Sequence, residues 1–196
     1  MNIFDILYIF SESFILNAFP LFGSPFTILS LPILIIEGIN FQNMIIISII
    51  LGIGAATGKL FMYLLGILLS KPLRYNRNLI FIKKISKSKY FIILFFFFTI
   101  LPFFPIDDLF FLSFGIEKTG IIKYYVTTII GKIIKSFAEI YIEIYLLKKI
   151  SYIININLFY LSIYSSILFL ILSIIFFKVD WEKYINRWLL KKKSGL

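Results

Sequence analysis

The sequence predicts an all-α polytopic membrane protein with two inverted repeats, each a re-entrant hairpin plus a transmembrane helix, and an additional C-terminal transmembrane helix. Three observations predict this fold class: the composition, the long apolar stretches, and prolines concentrated in two of those stretches. Of the 196 residues, 60% are hydrophobic and 15% are charged, and the mean hydropathy is +0.97. Soluble domains have about 25% charged residues. The composition therefore excludes a soluble globular protein and indicates lipid as the solvent.

The composition also narrows the chemistry of the chain. It contains no His and no Cys, which excludes disulfides, imidazole or thiolate catalysis and the usual zinc sites. No nucleophile and base pair is visible, so the sequence predicts no enzyme, no metal site and no cofactor. The net charge is +10, but the excess lies in two short blocks. A nucleic-acid binder spreads such charge over a polar surface, and no nucleic-acid partner is expected.

Five apolar stretches approach or exceed the roughly 20 residues that a spanning helix needs. They cover 13–36, 44–70, 91–115, 121–147 and 153–177. Prolines that interrupt the first and third stretches are Pro20, Pro25, Pro32, Pro102 and Pro105. Proline removes a backbone donor, and backbone left unpaired at membrane depth persists only beside protein or water. These two stretches are therefore predicted to be re-entrant hairpins; the alternative is a kinked but complete crossing.

Basic residues predict the orientation. The segment 71–89 carries lysines and arginines but no acid, and the tail after Phe177 is also basic. By the positive-inside rule both face the cytoplasm, and an even number of crossings separates them only if 91–115 turns back. A single membrane domain, placed in the cell membrane, is expected over 1–196. Its parts are an interfacial segment 1–12, repeats 13–70 and 91–147 joined by the basic loop 71–90, the last transmembrane helix 153–177, and an amphipathic tail 178–196.

An internal repeat supports this organisation. A shift of 77 residues places Pro25 on Pro102, Gly38 on Gly115 and Gly54 on Gly131. Each half then consists of a broken hairpin, a glycine turn and a long helix, and the two long helices run in opposite directions. Inverted repeats with interrupted segments are typical of transporters, although chance matching in a biased sequence is the alternative.

Other glycines are predicted to pack helices. Gly54 and Gly58 are four residues apart in an apolar helix that also contains Gly52. Small residues at this spacing let two helices approach closely, and Gly131 has the same role in the second repeat. The run that ends at Lys59 superficially resembles a phosphate loop, but its glycine spacing is wrong and Leu60 replaces the required Ser or Thr.

Charged residues inside the apolar stretches are the candidate site. In the segment 121–147, Lys132, Lys135, Glu139 and Glu143 recur at intervals that place them on one helical face. An ionised side chain at the centre of a membrane helix costs about 2.5–3.5 kcal/mol on an insertion scale. Each of these four charges therefore needs a partner inside the protein.

Three further charges are expected to meet that face. Lys59 lies near the middle of the preceding helix, and Asp107 and Asp108 follow Pro105 in the second hairpin. One interpretation is a transport or substrate-binding site between the hairpin tips and the long helices, where carboxylates exchange protons. The other is an ion-pair network that only fixes helix register.

The stretch from Thr99 to Asp108, TILPFFPIDD, followed by Gly115, Gly131 and Lys132, resembles the DedA family, also called the VTT or SNARE-associated Golgi protein family. Gly38 and the glycine-rich helix after it are similar as well, most of all to small archaeal-type members. The resemblance covers roughly residues 20–147. It implies two membrane-embedded hairpins that meet near the midplane, and lipid movement: polyprenyl phosphates in bacterial members and phospholipid scrambling in eukaryotic relatives. Some relatives are linked to proton-dependent drug or ion tolerance.

The chain departs from the common bacterial pattern, which has an acid in the first hairpin and arginines around the second hairpin's proline. Lysines would have to meet an anionic head group here, as point charges and not as bidentate forks. We expect a lipid transporter or scramblase in which Asp107 and Asp108 exchange a proton while Lys132 and Lys135 contact the phosphate. The expected partners are membrane lipids and protons, with a homo-oligomer left open. The alternatives are a proton-coupled exporter of small cations or drugs and a non-transporting membrane assembly factor.

Overall fold

The computed structural model describes residues 1–18, 26–73, 82, 85–86, 88, 90–101 and 106–178. All regular secondary structure in this part of the chain is helical, which confirms the all-α prediction there. The elements are α1 (Ile3–Ala18), a 3-10 helix (Phe26–Ser30), α2 (Leu31–Glu37), α3 (Phe41–Leu68), α4 (Ser70–Leu73), α5 (Phe91–Ile100), α6 (Ile106–Ile116), α7 (Ile122–Ile154) and α8 (Leu158–Lys178). Pro25, Pro102, Pro105, most of the basic loop and nearly all of the amphipathic tail lie outside the described residues.

The first hairpin is longer than the sequence predicts. The ammonium group of Met1 lies 2.6 Å from Glu37 Oε2, so the start of α1 is beside the end of α2 and the chain reverses between them. Helix α1 continues through the predicted boundary after residue 12: residues 3–12 are its first part, and Ile9 is fully buried. The reason is that no proline or glycine interrupts the chain before Pro20. Pro32 lies in the first turn of α2, where the missing N–H is tolerated.

Gly38 ends this hairpin with a φ of +99°, a conformation that side chains with a Cβ rarely adopt. The next helix, α3, begins after Asn40, whose side-chain oxygen accepts a hydrogen bond of 2.8 Å from the Asn43 amide. The Asn43 side chain in turn donates to the carbonyl oxygens of Glu37 and Gly38, both at 2.9 Å. A glycine turn and an N-cap thus join the first hairpin to the first long helix.

The second hairpin is held by aromatic contacts. The ring of Phe91, at the start of α5, lies 6.0 Å from that of Phe114, near the end of α6. A continuous helix would separate these residues by about 34 Å at 1.5 Å per residue. The chain therefore reverses between α5 and α6, as the topology argument requires. Phe95 and Phe110 join the same cluster, and Phe114 stacks on Tyr124 of α7 at 4.1 Å.

The two long helices, α3 and α7, pack against each other in opposite directions. Thr57 Oγ1 lies 3.2 Å from Tyr125 Oη, while Gly52, five residues earlier, faces the backbone of Ile133, eight residues later. A Cβ on Gly52 would come within 2.8 Å of the Ile133 amide nitrogen, so the contact requires glycine. Gly54 and Gly58 similarly admit the backbone of α1, and Gly131 admits Thr99 of α5.

Gly115 differs from its predicted role as a turn. It lies inside α6. Among the described glycines, only Gly38 has a positive φ. A Cβ on Gly115 would lie 2.9 Å from the Cα of Gly66 and 3.0 Å from the amide nitrogen of Ile67. Gly115 is thus needed for close packing of α6 on α3, and the chain turns afterwards, at Lys118, with a φ of 50°.

The last two helices have different limits from those predicted. The segment 121–147 extends to Ile154, and Asn155 then adopts a left-handed conformation with a φ of 53°. Helix α8 consequently starts at Leu158 and not at 153, and its axis departs from that of α7 by 114°. In the described part of the chain, one helix, α3, is long and apolar enough to cross a membrane. The number of candidate membrane spans in this part of the chain is two if α7 and α8 are taken as one bent span.

Candidate functional site

The burial pattern combines many exposed apolar side chains with several buried charges. Large apolar side chains are exposed around the helices, for example Ile36, Leu68 and Ile122 at 70–77% of their full accessible surface. Charged side chains lie inside: Lys59, Asp107, Asp108 and Lys132 are each 3% exposed, and Lys135 is 6% exposed. Lysines and aspartates are almost never this buried unless they pair with one another.

Four of these residues form one network at the junction of three helices. Lys132 Nζ of α7 lies 2.7 Å from Asp107 Oδ2 of α6. Lys59 Nζ of α3 is 3.7 Å from the same oxygen and also pairs with Asp108 Oδ1. Two lysines and two aspartates balance each other, and we call this set the central quartet.

The backbone places the central quartet by close helix contacts. Asp107 and Asp108 occupy the first turn of α6, where acidic groups interact favourably with the helix dipole. Gly115 and Gly66 hold α6 against α3, which brings Asp108 to Lys59. On α7, Gly131 precedes Lys132 and admits α5. The glycine contacts therefore determine the positions along α3, α6 and α7 at which the lysine and aspartate side chains meet.

A second polar region continues along the same face of α7, beyond the central quartet. Lys135 Nζ lies 3.7 Å from Glu139 Oε1. Thr27 Oγ1, in the 3-10 helix of the first hairpin, donates a hydrogen bond of 2.8 Å to Glu143 Oε1. We call Thr27, Lys135, Glu139 and Glu143 the lower cluster. The first hairpin thus reaches the lower cluster, and the second hairpin reaches the central quartet.

An aromatic ring joins the two regions. The Phe26 ring, one residue before Thr27, has Lys135 Nζ at 5.8 Å and Lys132 Nζ at 6.0 Å from its centroid. Ammonium groups within about 6 Å of a ring face are attracted to it. Both hairpins therefore supply groups to the same stretch of α7.

The sequence prediction placed Lys59, Lys132, Lys135, Asp107, Asp108 and Glu139 in one site. The structure brings four of them together as the central quartet and places Lys135 and Glu139 next to it in the lower cluster. The contributions of Phe26 and Thr27 were missed, and their position just after Pro25 was the available signal. Glu12, at the end of the predicted interfacial segment 1–12, is 8% exposed within the first hairpin.

The described residues contain no group of three or more acidic, His or Cys side chains that could hold a metal ion. The central quartet and the lower cluster together contain three ammonium groups and four carboxylates, and apolar side chains surround them. Comparisons of the chain with protein-family models, with curated proteins and with solved structures find no match. Its function is therefore inferred from the site itself.

Proposed function

We propose that this chain is an integral membrane protein that moves anionic lipid head groups across the bilayer through the central quartet. The observation that carries the proposal is a lysine and aspartate network, 3% exposed, enclosed by helices whose outward side chains are apolar. Burying ion pairs is costly, and well-packed apolar residues would stabilise a fold as well or better. Charged residues inside a membrane protein are by default a functional site.

Helix lengths suit a bilayer. The 28 residues of α3 extend about 42 Å at 1.5 Å per residue, and the hydrocarbon core is about 30 Å thick. Lys59 is 18 residues after the start of α3, so it would lie well inside the core, towards the cytoplasmic end. The basic segment after Leu73 would then face the cytoplasm and Gly38 the outside.

The contacts support an inverted repeat. In the first half, α1 runs parallel to α3, and Ser13 Oγ donates a hydrogen bond of 2.6 Å to the Leu51 carbonyl oxygen. In the second half, α5 runs parallel to α7, with Thr99 against Gly131. The returning arm of each hairpin contacts the long helix of the other half, through Asp108 on Lys59 and through Thr27 on Glu143. Such exchange between inverted halves is expected at a transporter binding site.

The central quartet suggests how an anion is accepted. Lys132 is held by one close carboxylate oxygen, from Asp107, which Lys59 also approaches. A phosphate oxygen replaces Asp107 beside Lys132 while Asp107 keeps Lys59 or takes a proton. The exchange needs no bidentate geometry, because an ammonium group binds phosphate as a point charge. Lipid movement is also what the sequence resemblance to the DedA family implies.

The test is lipid translocation in vesicles. The purified protein is reconstituted with a fluorescent phospholipid or a polyprenyl phosphate, and transfer between leaflets is measured. We expect Lys132→Ala to lose most of the activity. Lys149→Ala is the matched control, because Lys149 is an exposed lysine on the same helix. Equal rates for the two variants would refute a role of Lys132 in lipid transfer, and unchanged rates in Asp107→Asn with Asp108→Asn would remove the acids from the mechanism.

A second candidate is a proton-coupled exporter of small cations. The observation that favours it is that the central quartet and the lower cluster together contain four carboxylates against three lysines. An exporter of this kind would tolerate Lys132→Ala but lose flux when the carboxylates are neutralised. Cation flux measured in the same vesicles separates the two candidates.

A further inference from the structure

Of the four carboxylates in the central quartet and the lower cluster, Glu143 is the one without a counter-charge among the described residues. In the central quartet two lysines balance two aspartates, and in the lower cluster Lys135 lies 3.7 Å from Glu139. Among the described residues, no lysine or arginine nitrogen lies within ion-pair distance of Glu143, whose Oε1 accepts a hydrogen bond from the neutral Thr27. The region as a whole therefore carries one excess negative charge.

Three oxygen atoms on one face of α7 have no hydrogen-bond partner among the described residues. They are Ser136 Oγ, Glu139 Oε2 and Glu143 Oε2, and each of these atoms is buried. Ser136 is fully buried and lies one helical turn before Glu139 on the same face of α7. An unpaired buried hydroxyl on the same helical face as two unpaired carboxylate oxygens is unusual, since nearly all buried polar groups have a partner.

An apolar environment makes this excess charge unfavourable. Ile140 and Ile144, adjacent to Glu139 and Glu143 along α7, are 0% and 5% exposed and belong to an apolar cluster. A carboxylate in such surroundings requires a proton, a cation or a paired residue. A divalent ion would overcompensate a single charge, and the described residues contain no group of three acidic ligands.

We propose that Glu139 and Glu143, with the hydroxyls of Thr27 and Ser136, bind one monovalent cation, H⁺ or Na⁺. Either cation neutralises the excess charge. A proton does so by binding one carboxylate oxygen, whereas Na⁺ would be coordinated by several of the unpaired oxygens, because hard cations prefer oxygen ligands. Asp107 and Asp108 are less suited to this exchange, since each already pairs with a lysine. This site deepens the proposed transport function by naming its coupling ion, and it rests on the proposed membrane location.

The surroundings of the site contain few other charges. On α7 itself, Lys132 and Lys135 face it, and α3 and α6 contribute Lys59 and the two aspartates of the central quartet. The 3-10 helix contributes the uncharged Thr27, and α1, which packs on that helix, carries the buried Glu12. Helix α8 packs there with the uncharged Ser162 and Ser166, and Ser166 donates a hydrogen bond of 3.0 Å to the Ile28 carbonyl oxygen. Occupancy by a cation is therefore governed mainly by Glu139, Glu143 and Lys135.

The experiment measures thermal unfolding of the purified full chain in detergent micelles. One series varies NaCl at constant ionic strength against N-methylglucamine chloride, and another varies pH without Na⁺. A ligand that binds only the folded state raises the melting temperature with the logarithm of its concentration. For a protein of this size the expected rise is about 3–6 °C for each tenfold increase above the dissociation constant.

Three variants decide the outcome. Glu143→Gln keeps an acceptor for Thr27 and removes the excess charge, so it is expected to fold and to lose the cation response. Glu37→Gln is the control, because Glu37 lies at the end of α2 beside the Met1 ammonium. Ser136→Ala removes a neutral oxygen ligand, which weakens Na⁺ binding but leaves H⁺ binding intact.

A response to Na⁺ that Glu143→Gln and Ser136→Ala both weaken assigns Na⁺ to the site. A stability that falls with rising pH in the wild type, and falls less in Glu143→Gln, assigns H⁺. Identical responses of the wild type and Glu143→Gln in both series overturn the proposal. These measurements involve no lipid transfer, so the cation site and the lipid-transport function can fail independently.

Discussion

Replacing Lys132 with methionine removes one cation from the central quartet and leaves its carboxylates in excess. Lys132 Nζ and Asp107 Oδ2 are 2.7 Å apart, and both side chains are 4% exposed. With an effective dielectric constant of 20, the attraction at this distance is about 6 kcal/mol, and that of Lys59 for Asp107 at 3.7 Å is about 4.5 kcal/mol. Because Lys59 remains, we expect a loss of about 3 kcal/mol, the lower end of the range for breaking a buried pair.

The double variant Lys132→Met with Asp107→Asn makes this prediction specific. It removes one charge of each sign and leaves Lys59 paired with Asp108. We therefore expect it to be more stable than Lys132→Met alone, with a coupling of about 2 kcal/mol between the two positions. The assay is equilibrium unfolding in detergent micelles, followed by far-UV circular dichroism, with Lys149→Met as the exposed control.

Additive effects of the two substitutions, within about 0.5 kcal/mol, would refute the reasoning, since that is the behaviour of independent sites. A loss for Lys132→Met no larger than for Lys149→Met would refute it as well. Exposed ion pairs contribute about 0–1 kcal/mol, so either result would mean that the central quartet is solvated.

Two further predictions test packing and topology. Gly115→Ala places a Cβ 2.9 Å from the Cα of Gly66, and we expect it to destabilise the protein by about 1–3 kcal/mol, whereas Gly120→Ala, which meets nothing within 4 Å, is the neutral control in the same unfolding assay. Equal stabilities of the two variants would contradict the contact between α6 and α3. The chain has no cysteine, so in intact cells a membrane-impermeant maleimide is expected to label Asn40→Cys, and to label Ser70→Cys only after permeabilisation. Labelling of both from one side would contradict the orientation of α3.

Local features of the site could be predicted from the sequence because they depend on residues close together in the chain. A helix has 3.6 residues per turn, so Lys132, Lys135, Glu139 and Glu143 must share a face wherever that helix lies. The same argument identified Gly54 and Gly58 as a packing surface, and both do admit α1. A single charged residue in an apolar helix also signals a missing partner, whatever that partner is.

Only the tertiary structure decided which partners meet. Lys59 pairs with Asp108, 49 residues away, and Thr27 reaches Glu143, 116 residues away, because two chain reversals bring these segments together. In the structure the first hairpin also starts earlier than the sequence predicts, and Gly115 lies inside a helix. Their roles depend on contacts with α3, and a local pattern does not specify which helix will pack against a given glycine. The sequence therefore determined the polar face of α7 and its need for partners. The identity of the partners, and the lack of a cation beside Glu143 among the described residues, follow from where the backbone allows distant segments to approach.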